Sequence, residues 1–299
     1  MALNSQEFHT LLEQALSCRS TAAQRQIKEK CRNMFSENLV EHLQGSKLGT
    51  QKNEMCEILC LWMLEPRERD ALVAKEAIEQ RDQVDHKALV EIYTLRKSNQ
   101  LFLTKQAYLK RFKRHLDRDI ISETAHSYQK ILEALATSHR SHHADTSHHI
   151  AKCDAKRLYE AGKGITGYID ESIILEIFSK RSIPQLRLTF SSYKHIYGHE
   201  YIKTLKKENS AEFEESLRVV IKCMNDPTRY YSKMLHMSMK GGVKNRSALS
   251  RVMVGSTDVG MEDVKNEFQR RYGTKLEDYI CETIPVGVYK DFLLALVNN

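Results

Sequence analysis

Four segments of the chain carry an aromatic residue followed by apolar residues at helical spacing. They are Phe35 with Leu39 and Leu43, Phe112 with Leu116 and Ile120, Tyr197 with Tyr201 and Leu205, and Tyr272 with Leu276 and Ile280. Side chains at i, i+4 and i+8 lie along one side of a helix, or of two helices that meet at a short turn. The aromatics stand 77, 85 and 75 positions apart. A second marker precedes them: apolar runs end at Arg19, Arg96 and Arg181, whereas the fourth run reads Met-Val-Gly255-Ser256. A third marker, an acidic residue followed by Pro, occurs at Pro66 and Pro227, where Pro suits the first turn of a new helix. Three markers in a constant order make a repeat.

The pattern predicts an all-α chain of four repeats with about five helices each. Their expected limits are 1–66, 67–148, 149–226 and 227–299. In the last repeat the turn signals place helices near Thr228–Met239, Ser247–Val254, Met261–Arg271, Leu276–Cys281 and Tyr289–Val297. The extra length of the second repeat falls in the polar stretch Thr137–His149, read as a linker.

Composition narrows the class. Only 4 Pro and 12 Gly occur in 299 residues, which leaves room for long helices and argues against an all-β sandwich. No stretch reaches the roughly 18 apolar residues of a membrane span, and Met1–Thr10 lacks the apolar core of a secretory signal. Seven Cys without paired spacing suit a reducing compartment, so a cytoplasmic protein is expected. Cys56 and Cys60, at i, i+4, read as core. The net charge of +7 favours an acidic partner, nucleic acid or anionic lipid, without choosing between them. The densest basic run, Lys105–Arg118, reads first as the solvated face of an amphipathic helix.

The stretches Lys180–Gly198, Leu61–Ala77 and Lys265–Ile280, with the repeat spacing, resemble the annexin family, and within it the plant annexins. The resemblance covers nearly the whole chain. It implies four five-helix repeats packed as a slightly curved disc, with loops on the convex face that meet acidic phospholipid, usually through calcium. It also implies that the first helix of the first repeat is absent, because Met1–Gln6 stands where that helix and loop should be.

Calcium needs six to eight oxygens, and small residues let a loop curl its carbonyls around the ion. The family's loop is Gly-x-Gly-Thr, completed by a carboxylate from a later helix junction. Here the first repeat has no such loop, and the second has no Gly in Gln80–His86, leaving Glu123 nothing to complete. The third repeat keeps most: Gly164 and Gly167 precede Asp170-Glu171, and Glu208 falls at the family's spacing, although Tyr168 takes the second Gly position. A calcium site and a Gly-containing turn with a capping acid pair both remain open there. In the fourth repeat Lys244 replaces the Thr and Arg246 the helix-opening acid, with Thr283 or Ile284 at the carboxylate position. Lys240, Lys244 and Arg246 are therefore read as a lipid-binding set in place of the ion. His139, His142, His143, His148 and His149 could bind a transition metal or sense pH, or simply belong to a solvated linker.

The expected function is peripheral binding to acidic phospholipid, with calcium dependence weakened or confined to the third repeat. The competing reading is a calcium-independent protein-interaction scaffold derived from an annexin. No Gly-x-Ser-x-Gly, P-loop or zinc-ligand spacing appears, so no enzymatic activity is expected. Nucleic acid is not an expected partner, because the aromatics occupy core-like positions.

Overall fold

Pro66 and Pro227 each begin a helix, as their missing N–H and fixed φ allow. The computed structural model describes residues 50–80, 84–124, 126–136, 146–162, 169–205, 212–241 and 246–298, the side chains of 50–53 and 126 aside. Regular structure among these residues is helical throughout. In chain order the helices are α1 (Thr50–Met63), α2 (Pro66–Ile78), α3 (His86–Leu95), α4 (Ser98–Phe112), α5 (Leu116–Glu123) and α6 (His126–Ala136). There follow α7 (His148–Ala161), α8 (Glu171–Lys180), α9 (Ile183–Tyr197), α10 (Tyr201–Thr204) and α11 (Glu212–Asn225). The last five are α12 (Pro227–Lys240), α13 (Arg246–Val259), α14 (Met261–Tyr272), α15 (Leu276–Thr283) and α16 (Val288–Asn298). Three successive sets of five are thus α2–α6, α7–α11 and α12–α16, with α1 standing before them.

The aromatic markers sit at a joint between two helices. Phe112, Tyr197 and Tyr272 are the last residues of α4, α9 and α14, and their i+4 partners open α5, α10 and α15. At each joint one residue turns left-handed: Lys113 (φ 55°), Gly198 (φ 73°) and Gly273 (φ 75°). Its N–H closes the preceding helix on Leu109, Lys194 and Gln269 respectively. The turn brings Leu116, Ile120, Tyr201, Leu205, Leu276 and Ile280 into the interior, where all are buried.

The chain divides into two units. Pro66–Pro227 forms one, in which α2 packs along α4, α7 along α9, and α3 against α6 and α11. Its core holds Tyr93, Tyr108, Phe178, Tyr193 and Tyr201, nearly inaccessible to solvent. Burying a large apolar side chain contributes about 1.5–3 kcal/mol, so the helical faces are held mainly by these rings and the Leu and Ile around them. The other unit joins the chain up to Glu65 with Thr228–Asn299. In it α1 packs on α13 and α16, with Trp62 edge-on to Phe292 at 5.8 Å between ring centres.

Two expectations change. The helix expected over Ser247–Val254 runs on to Val259, through Gly255. A Cβ on Gly255 would lie 2.7 Å from the Tyr231 ring, so the helix continues by leaving that space to the tyrosine. The stretch read as a linker already turns helical at His148, capped by Ser147, whose Oγ accepts the Ile150 N–H at 3.3 Å.

Candidate functional site

In the sets α2–α6 and α7–α11, the junction between the first and second helices repeats one device. Asp85 N–H donates to the Ala77 carbonyl at 2.9 Å, and Asp170 N–H to the Ala161 carbonyl at 3.1 Å, folding each loop's end back onto the helix it left. Each Asp then caps the next helix. Asp85 Oδ1 accepts from Lys87 N (3.1 Å) and Ala88 N (3.2 Å). Asp170 Oδ1 accepts from Ser172 N (3.0 Å), Ile173 N (3.4 Å) and Ser172 Oγ (2.6 Å). The Ser172 hydroxyl, followed by those backbone donors, holds the Asp170 carboxyl below its ordinary range.

The helix-opening residue after the cap differs between sets, and its side chain follows its chemistry. His86 stacks on Tyr128 with ring centres 4.2 Å apart, and burial pushes its pKa down against the opposing pull of Asp85 and Glu212. Glu171 accepts from Lys130 Nζ at 2.8 Å. Both acids of the Asp170–Glu171 pair therefore have protein partners. Gly164, Gly167 and Glu208 lie outside the described residues.

Arg246 departs from its expected place on the surface. It is 7% exposed, with Nε 3.8 Å from Glu54 Oε1 and its guanidinium 5.7 Å from the centre of the Tyr289 ring. Its Nε and Nη1 make no hydrogen bond among the described residues. Tyr289 OH shares a 2.9 Å hydrogen bond with Ser250 Oγ and donates to the Arg246 carbonyl at 3.4 Å. Burial raises the pKa of Glu57, countered by a hydrogen bond from Ser247; burial likewise raises Glu54, countered by Arg246. The guanidinium is thus enclosed between Glu54 and the Tyr289 ring. Lys240, the last residue of α12, is exposed as expected. Lys244 lies outside the described residues.

The later junction of the fourth set explains what became of the carboxylate position. Ile284 is 4% exposed and belongs to the core, while Thr283 Oγ1 donates to the Tyr279 carbonyl at 2.7 Å. Neither side chain supplies the carboxylate that a calcium shell needs. Val286, two residues on, is 87% exposed. The Tyr289–Arg246 hydrogen bond sets the start of α16 beside the start of α13. Sequence reasoning passed over Val286, which adjoins the Thr283–Ile284 carboxylate position.

Glu123, the last residue of α5, is exposed and accepts from Ser122 Oγ at 3.3 Å. His148 and His149 are exposed in the first turn of α7, where His149 Nε2 lies 3.8 Å from Cys153 Sγ. His139, His142 and His143 lie outside the described residues. Among the described residues no cluster of three or more metal-ligating side chains occurs, and no helix is long and apolar enough to cross a membrane.

The Annexin family model matches residues 69–135, 153–220 and 230–296, one stretch in each set of five helices. The chain belongs to the annexin family. Annexin A3 of Mus musculus is 31% identical over 95% of this chain and 86% of its own length. Annexin D7 of Arabidopsis thaliana is 33% identical over 80% of this chain and 74% of its own. A solved structure of annexin III superposes with a TM-score of 0.80 at 30% identity, covering 97% of this chain and 88% of that one. Annexins as a family bind acidic phospholipid surfaces, generally through calcium.

Proposed function

We propose that this annexin is a peripheral, cytoplasmic binder of acidic phospholipid whose calcium-dependent attachment is confined to the third repeat, while the fourth attaches without the ion. The observation that carries the reading is the exposed Val286 just before α16, whose first turn lies against the first turn of α13. At the carboxylate position Ile284 is buried and Thr283 bears no carboxylate, and the exposed Lys240 and Val286 supply a cationic and an apolar contact instead. For the third repeat the support is Gly164, Gly167 and Glu208 in the sequence. The lipid-facing set is revised to Lys240, Lys244 and Val286, without Arg246.

A basic residue near an anionic leaflet contributes about 1 kcal/mol, and burial of a Val side chain about 1.5 kcal/mol. Together these give weak, reversible docking that fades with salt, since charge is screened within about 10 Å at 0.1 M. Co-sedimentation with phosphatidylserine liposomes separates the parts. Glu208→Gln should abolish the calcium-dependent gain and leave binding in chelator unchanged. Lys240→Glu/Lys244→Glu/Val286→Ser should weaken binding in chelator at low salt and leave the calcium gain. Absence of binding by the wild type under every condition would favour the scaffold reading.

A further inference from the structure

Helix α7 carries two metal-binding side chains one turn apart. Ser147 opens the helix by accepting the Ile150 N–H at 3.3 Å, so His149 falls in the first turn and Cys153 in the second. A spacing of four residues puts them on the same side. His149 Nε2 lies 3.8 Å from Cys153 Sγ, and both side chains are exposed. The opposite side anchors the helix: Ala151, Asp154, Ala155, Leu158 and Ala161 are buried, and Asp154 accepts two hydrogen bonds from Arg181. The pair therefore projects from a rigid element. Asp154 meets Arg181 as Asp70 meets Arg96 and as Tyr231 meets Gly255. The residues five and one before Asp154 are His149 and Cys153, whereas those before Asp70 are Glu65 and Arg69, and those before Tyr231 are Asp226 and Tyr230. Neither Arg69 nor Tyr230 has a thiolate to offer, so the pair is peculiar to α7 among these three helices.

The donor set selects the ion. Calcium takes oxygen ligands, whereas zinc takes thiolate sulfur and imidazole nitrogen. At the usual bond lengths, about 2.3 Å to sulfur and about 2.0–2.1 Å to nitrogen, a tetrahedral shell sets these two atoms about 3.5–3.8 Å apart. The 3.8 Å between Sγ and Nε2 already meets that separation. Exposed Lys152 and Lys156 flank the pair and oppose a cation. One charge of the ion is cancelled by the thiolate, and the long lysine stems keep their ammonium groups in water, where they are screened. We propose that Cys153 Sγ and His149 Nε2 bind a zinc ion, with water or an external ligand in the other two positions of its shell. Binding forms a zinc–sulfur bond and releases the thiol proton to solvent, while the imidazole donates its Nε2 lone pair and keeps its proton on Nδ1. No oxidation state changes. The site uses no residue of the calcium or lipid loops and does not depend on the attachment to phospholipid proposed above.

The test uses the full chain with calcium and lipid absent. Co2+, a spectroscopic stand-in for zinc, should produce a thiolate-to-cobalt charge-transfer band that Zn2+ bleaches. Cys153→Ser should abolish the band, and Cys281→Ser, at the other exposed cysteine among the described residues, should leave it. By calorimetry, His149→Ala should weaken zinc binding roughly tenfold or more. His139→Gln/His142→Gln/His143→Gln separates this pair from the other histidines of the stretch and should retain both the band and the zinc affinity. A band that survives Cys153→Ser, a zinc affinity unchanged by His149→Ala, or loss of the band in the triple variant overturns the proposal. So does the absence of any band in the wild type.

Discussion

Arg181 grips Asp154 with two parallel hydrogen bonds, Nε to Oδ2 at 2.6 Å and Nη2 to Oδ1 at 3.1 Å. Arg96 holds Asp70 in the same way one repeat earlier, with Nη2 to Oδ1 at 2.9 Å. The arginine ends the second helix of its set and the aspartate lies on the first, with side-chain exposure of 2% for Asp154 and 5% for Asp70. The pair clamps two helices at a fixed register. Removing one partner strands a buried charge, which costs about 3–5 kcal/mol. Arg181→Leu and Asp154→Asn should each lower the denaturant midpoint strongly. The double change should cost less than the sum of the two, as measured by a double-mutant cycle in urea.

The fourth repeat solves the same contact without charge, placing Tyr231 against Gly255. A methyl group at 255 would meet the tyrosine ring at 2.7 Å, where something must move. Gly255→Ala should therefore destabilise by about 1–3 kcal/mol, despite alanine's better helix propensity. Tyr231→Phe/Gly255→Ala should recover part of the loss if the hydroxyl, also at 2.7 Å, is the main obstacle; thermal melts of the three proteins decide it.

Lys113 holds φ 55° where its counterparts are Gly198 and Gly273. A residue with a Cβ in this region costs about 1–2 kcal/mol, of which glycine's larger unfolded-state freedom takes back part. Lys113→Gly should stabilise the protein by about 0.5–1 kcal/mol, and Lys113→Val should destabilise it. Both are read from chemical denaturation.

Glu57 bears on the pH profile. Burial raises its pKa above 4.5, so the folded state takes up this proton more readily than the unfolded chain. That contribution to stability is fully present below 4.5 and is lost as pH rises through the raised value. Glu57→Gln should therefore raise the melting temperature at pH about 7.5 and lose this advantage on acidification through the carboxylate range. Equal shifts at both ends of the titration would separate Glu57 from the pH dependence.

The helical class and the order of markers were legible because both depend on nearest neighbours along one helix. The residues four and eight beyond Phe112, Tyr197 and Tyr272 could be read as interior positions from their spacing. Which of two arrangements those spacings meant, one helix or two, depended on the left-handed residue between them, and Lys113 conceals it where glycine would have advertised it. The fourth-repeat site was less legible for a different reason. Arg246 has the sequence context of a surface cation, but its direction is set by α1 and α16, remote in sequence, which supply Glu54 and Tyr289. Val286 carries no chemistry that draws notice; only burial of its neighbour Ile284 turns it outward.

The contact between Trp62 and Phe292 has a bearing on how the molecule is made. Residues 66–227 leave the ribosome as one uninterrupted stretch that can fold as soon as it is complete. Helix α1 is synthesised before them, yet the helices that cover it, α13 and α16, come after them. The apolar face of α1, with Ile58, Leu59, Leu61 and Trp62, must therefore wait exposed through most of translation. Nascent chains halted near residue 227 should present this face to trigger-factor-like or Hsp70-like chaperones, and release should await the last helix.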